Sequence, residues 1–170
     1  ISACLVGSEM CIRDSDTIED VKGLKMRIPG FGGEVLRRNG GIPVAMPGGE
    51  IFTALQTGTI DAAEWIGPYN DLAFGMHKVA NHYYYPGWHE GGPSLECIIN
   101  KEVFESLPDD LKAIVEIAIQ STNDTMLAEF VARNASSLKQ IKKMKEIEIK
   151  PFPEEVMKAF EKTTNEIIKE

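Results

Sequence analysis

One arginine and two glutamates stand where this chain could do chemistry. Arg27 lies near the end of the run Leu24-Lys25-Met26-Arg27-Ile28, which alternates apolar and basic residues as a strand does, and Pro29-Gly30 follows at once. A guanidinium at a strand end, directly before a helix N-terminus, gathers a planar fork of donors and free backbone N–H groups at one point. That combination suits a carboxylate or a phosphate; an exposed strand arginine is the plainer alternative. Glu64-Trp65 ends a third expected strand, and a carboxylate flanked by Ala63 and Trp65 needs a cation or a donor to stay ionised. It reads either as a salt-bridged carboxylate or as a ligand for a hard cation beside an anion pocket. Glu90, in Trp88-His89-Glu90 within a Gly/Pro-rich loop, brings a second carboxylate.

Other chemistries find little support. There is no Gly-x-Ser-x-Gly elbow, and no Gly-Lys-Ser/Thr that would mark a phosphate loop. Gly30-Phe31-Gly32-Gly33-Glu34-Val35 mimics a dinucleotide fingerprint but ends on Val35 instead of glycine. His77, His82 and His89 lack the spacing of zinc ligands. Cys97 sits in the apolar stretch Ser94–Asn100, which reads as a strand carrying a buried structural thiol.

The elements that must position these residues follow the glycines and prolines. A capped turn over Thr17–Val21 precedes the Arg27 strand. A helix over Phe31–Asn39 stops at Gly40-Gly41, and a strand over Ile42–Met46 comes next. A helix opens at Gly48-Gly49-Glu50 and ends at Gly58, and Thr59–Trp65 supplies the third strand. Strand–helix–strand–helix–strand with short loops predicts an α/β layer with parallel pairs, and ligands of such layers bind at the carboxyl edge of the strands. Tyr83-Tyr84-Tyr85 reads as a strand packing on both faces. From Pro108 the pattern turns helical, with Leu111, Ile114, Val115, Ala118 and Ile119 predicting one buried stripe on a helix that runs to about Lys143. A brief strand at Ile147 and Ile149 and a helix from Glu154 complete the chain.

Composition narrows the classes. The 170 residues are 43% hydrophobic and 26% charged, which excludes disorder and low complexity, and no apolar run approaches the ~20 residues of a bilayer span. A net charge of −8 makes nucleic acid and anionic membrane surfaces poor partners, and three cysteines do not form a disulfide framework. Residues 1–15 are set apart. They lack the basic leader and cleavage site of a signal peptide, and the stretch from Leu5 to Asp14 resembles the translation of a transposase adapter used in sequencing libraries. The expectation is that this segment is an artefact, excluded from the reading of the fold, and that the natural protein begins earlier.

Lys25-Met26-Arg27-Ile28-Pro29-Gly30, Gly49-Glu50-Ile51-Phe52-Thr53-Ala54-Leu55-Gln56-Thr57-Gly58, Asp61-Ala62-Ala63-Glu64-Trp65 and Tyr83-Tyr84-Tyr85-Pro86-Gly87-Trp88-His89-Glu90 resemble the solute-binding subunits of TRAP (tripartite ATP-independent periplasmic) transporters, the DctP-like family. The similarity is greatest to the branch that binds small 2-oxo and 2-hydroxy monocarboxylates such as pyruvate and lactate. The resemblance implies an α/β periplasmic solute-binding fold, two lobes about a hinge, seen here as an N-terminally truncated fragment with a helical C-terminal part. Residues 16–100 would form most of one ligand-binding lobe up to a hinge strand, and 101–170 a helical segment packing across and against the other lobe. Arg27 would pair with the substrate carboxylate. Glu64, the Trp65 backbone carbonyl and Glu90 match the positions of a sodium or calcium ion bound together with the substrate. Trp65, Tyr69 and Asn70 would line the pocket, Trp65 replacing an Asn of sialic acid-binding relatives and so favouring a small ligand. The implied partners are the membrane subunits of the transporter, in the periplasm, with a homodimer for the complete protein through a helix expected beyond residue 170. Such a protein binds and releases its ligand without making or breaking a bond. Two alternatives stay open: the same fold holding a C4-dicarboxylate, and a metal-assisted enzyme using Glu64 or Glu90 as base.

Overall fold

The computed structural model describes residues 8–89 and 96–170. Three strand–helix units build the first half. β2 (Lys25–Arg27) passes through Pro29 into α2 (Gly30–Arg38), β3 (Ile42–Val44) through Pro47 into α3 (Gly48–Gln56), and β4 (Ala62–Trp65) through Gly67 into α4 (Pro68–Ala73). Ahead of them, α1 (Ile18–Val21) is nucleated by a capping box in which Thr17 and Asp20 satisfy each other's backbone N–H groups. A 3₁₀ turn at Met76–Lys78 leads to β5 (His82–Tyr84). α5 (Lys101–Glu105), α6 (Asp109–Ile141), β6 (Glu148–Lys150) and α7 (Glu154–Ile167) complete the described chain.

β2 runs parallel to both β3 and β4, with Met26 opposite Pro43 on one side and Ala62 on the other, so Arg27, Val44 and Trp65 end at one edge. β6 adds in parallel to β5. With β1 formed by Ser8–Cys11, the full order is β3-β2-β4-β1-β5-β6. Successive strand residues point to opposite faces, and the two cores follow from that alternation. Met10, Ala63 and Tyr83 join Ile51, Leu55 and Ile141 on one face, while Cys11, Ala62 and Tyr84 join Val35, Leu36, Val156 and Phe160 on the other. α3 and the end of α6 therefore cover one face, and α2 and α7 the other. The Val, Leu, Ile, Met and Phe side chains among these each contribute roughly 1.5–3 kcal/mol by leaving water.

Both ends of the described chain join the sheet, and two expectations need correction. Residues 8–11 form β1 (Ser8–Cys11), antiparallel to both β4 and β5 in mid-sheet. Glu9 breaks the apolar pattern of that segment, but its carboxylate is matched by His89 at 3.3 Å, so the charge that hides the strand in the sequence is satisfied in the fold. Residues 96–100 carry no strand and Cys97 is exposed, since no described residue covers them; residues 94 and 95 lie outside the described part. The stripe on α6 is not buried at its start, where Leu111 and Ile114 are exposed. Parts of residues 101–170 pack on the sheet that carries Arg27 and Glu64. β6 extends the sheet, and Val156 and Phe160 of α7 are buried against the α2 face.

Candidate functional site

At the shared carboxyl edge, Arg27 and Glu64 meet. The Arg27 Nη1 donates to Glu64 Oε1 in a close ion pair and to the Glu64 backbone carbonyl at 3.3 Å, while Nε donates to the Met46 carbonyl at 3.4 Å. Both side chains are largely buried, with 13% and 7% of their surfaces exposed. Parallel pairing of β2 with β4 places Arg27 beside Ala63, one residue from Glu64, which explains the encounter. The Trp65 ring lies beneath the guanidinium, 5.0 Å from ring centroid to Cζ, and leans on Phe74 at 5.2 Å. Gly48 makes room for that ring: a Cβ there would overlap Cη2 of Trp65 and approach Cζ2 to 2.9 Å.

A second cation completes the neutralisation of Glu64. His89 Nε2 lies 2.9 Å from Glu64 Oε2, and its Nδ1 faces Glu9. Burial alone would depress the imidazole pKa, but hydrogen bonds to Glu64 and Glu9, reinforced by their charges, outweigh it and push it up to about 10. Glu9 itself is raised, chiefly by burial, with His89 opposing. The result is a chain of alternating charge, Glu9–His89–Glu64–Arg27, shielded from water. Neither α2 nor α3 has a side-chain N-cap, since Pro29 and Pro47 occupy those positions, so their first-turn N–H groups add positive potential at this edge.

The sequence-predicted residues fall into three groups. Arg27, Glu64 and Trp65 come together. Tyr69 and Asn70 lie on the first turn of α4, where the Tyr69 hydroxyl accepts from Arg133 Nη1 at 3.0 Å and its ring packs edge-on to Phe130 of α6. Glu90 lies outside the described residues. His89, Glu9 and Gly48 were missed as members of the site. The signal for a cation was present in Glu64 itself, a carboxylate in apolar surroundings, but no spacing rule points from Glu64 to a histidine 25 positions later. A separate groove of about 480 Å³ runs between Trp88 and α7, lined by Met157, Phe160 and Thr164 and not by Arg27 or Glu64.

The arrangement belongs to a known class. Residues 12–170 match the family of bacterial extracellular solute-binding proteins, family 7 (DctP), and the chain belongs to that family. A monocarboxylate 2-oxoacid-binding periplasmic protein of Nostoc sp. is 41% identical over 158 residues, covering 93% of this chain and 43% of its own length. A TRAP periplasmic solute-binding protein of Colwellia psychrerythraea, solved with bound calcium and pyruvate, superposes with a TM-score of 0.88 at 40% identity over 95% of this chain and 49% of the other. Its counterpart from Pseudoalteromonas atlantica, solved with sodium and pyruvate, gives 0.88 at 38% identity over 98% and 51%. The chain thus spans less than half of the Nostoc relative and about half of each solved one. β1 lies outside the stretch that the family model matches.

The described donors fit a hard cation in kind. Glu64 offers two carboxylate oxygens, one held by Arg27 and one by His89, which an ion would have to displace; Trp65 offers a backbone carbonyl, and the buried Asn70 Oδ1 has no hydrogen-bond partner among the described residues. The indole Nε1 of Trp65 is likewise without one, a donor left for an incoming acceptor.

Proposed function

We propose that this chain is the ligand-lobe portion of an extracytoplasmic solute-binding subunit of a TRAP transporter, working in the periplasm. It takes a small 2-oxo or 2-hydroxy monocarboxylate of the pyruvate or lactate type and hands it to the membrane subunits without chemical change. The observation that carries this reading is the buried Arg27–Glu64 pair at the carboxyl edge, stacked on Trp65. On arrival of a ligand carboxylate, Arg27 exchanges the single Glu64 oxygen for it and gains a bidentate partner. Glu64, the Trp65 carbonyl and Glu90 would hold sodium or calcium, which supplies the positive charge that Arg27 withdraws and a site for the ligand's oxo oxygen. Trp65 and Asn70 bound a small volume, and Tyr69 supports it from the α6 side. Residues 16–100 supply this edge, and the exposed apolar side of α5 and of the start of α6 is where a second lobe would rest.

Calorimetry on the complete polypeptide that carries this sequence tests the reading. Pyruvate and lactate are titrated with calcium or sodium and again after chelation in a sodium-free buffer. One-site binding that weakens at least tenfold without metal supports it. Absence of binding to either acid under every condition, or turnover of the acid, contradicts it.

A further inference from the structure

α4 begins without a cap of its own. Its N-cap residue is Gly67, which has no side chain to offer, and Pro68 occupies the first helical position. The next N–H, that of Tyr69, is one of the orphan donors every helix start leaves. It donates to Oδ1 of Asn134, 2.9 Å away on α6, a residue 65 positions later and only 3% exposed. The approach is close enough that a Cβ on Gly67 would lie 3.2 Å from that same oxygen. One residue earlier on α6, Arg133 donates to the Tyr69 hydroxyl at 3.0 Å and lies 4.9 Å from the ring centroid. Helix α6 thus grips both the backbone and the side chain of one α4 residue.

We propose that Asn134 is a positioning residue for the ligand site: it is the N-cap of α4 supplied from another helix, and with Arg133 it fixes the turn that carries Trp65. Only Ile66 and Gly67 separate Trp65 from α4, so the anchor on Tyr69 sets where β4 releases its last carbonyl and how the indole lies under Arg27. α4 is tied from the other side by Tyr83 of β5, whose hydroxyl donates to the buried Asp71 at 2.6 Å. Asn134 therefore determines the α6-facing half of a two-sided clamp. With the cap in place, the ligand meets a pre-formed turn and loses little affinity to ordering it. The inference rests on the proposed ligand site, but the clamp itself can be read without ligand.

Two measurements on the complete polypeptide separate these layers. Hydrogen exchange of the segment around Tyr69, taken without ligand, is expected to speed up about fivefold in Asn134→Ala, the typical effect of losing a helix cap. Pyruvate affinity in the presence of calcium is expected to fall by about the same factor. Should Asn134→Ala fail to fold, the exposed Arg133 provides the test. Arg133→Ala and Tyr69→Phe should each weaken pyruvate binding about threefold, and the double variant no more than either alone. Unchanged exchange at Tyr69 together with unchanged affinity in Asn134→Ala overturns the proposal, as does full additivity of the Arg133 and Tyr69 changes. If the parent protein binds no pyruvate, the functional reading fails while the exchange result still decides the clamp.

Discussion

The carboxyl edge of β2 and β4 and the first two-thirds of α6 are opposites. At the edge, every described charge has its counter-charge within hydrogen-bonding reach, and the side chains of Arg27, Glu64 and His89 are at most 13% exposed. Along α6, large apolar side chains stand in water: Ile114, Ile117 and Leu127 are 60%, 67% and 61% exposed. Only from Asn134 onward does the helix sink, with Leu138 at 9% and Ile141 at 1%. The charges at the edge are thus neutralised among the described residues of this chain, whereas the helix presents a surface far more apolar than solvent contact favours. A carboxylate buried in the lobe is answered locally; an apolar face is answered only by a partner surface of matching size.

The widest test of that contrast lies within one helix. Ile141→Ala should cost 2–5 kcal/mol of unfolding free energy by leaving a cavity, while Ile114→Ala should change it by less than about 0.5 kcal/mol. Denaturant melts of both variants check this, and equal losses would show that the start of α6 is packed after all. The next effect sharpens the edge side. Gly48→Ala should push the Trp65 ring off its seat and weaken pyruvate binding about tenfold, with near-ultraviolet circular dichroism reporting the displaced indole. The lobe should still fold, because the clash falls on the far end of one side chain.

The smallest effect concerns pH. The His89 pKa is raised from 6.5 to about 10 in the folded chain, so its contribution to stability is complete below pH 6.5 and is lost as pH rises through about 10. The melting temperature of the parent should therefore fall by a few degrees more between pH 7 and 10 than that of His89→Gln. Parallel curves would show that the imidazole is not a charged partner of Glu64.

Much of this was legible in the sequence, for identifiable reasons. Pro29, Gly40-Gly41 and Gly58 punctuate the strand–helix units because they cap or stop helices, and the sheet then brings Arg27 and Glu64 together through simple parallel pairing. β1 was hidden because Glu9 spoils the apolar pattern, and that charge makes sense only beside His89. Cys97 and the start of α6 misled in the opposite direction: apolar residues at regular spacing predict burial, but the sequence pattern does not say which surface does the burying. Asn134 carried no local signal at all, since its partner is a backbone N–H 65 residues earlier.

The central claim is that Arg27 leaves Glu64 for the carboxylate of a small oxo acid. The measurement that tests it most directly is calorimetric titration of pyruvate, with calcium present, into the complete polypeptide and its Arg27→Ala variant, the fold of each checked by far-ultraviolet circular dichroism. The account predicts that the variant folds and that its affinity falls about a hundredfold or more, the cost of removing one partner of a buried charge pair. A folded Arg27→Ala variant that binds pyruvate as tightly as the parent would contradict it.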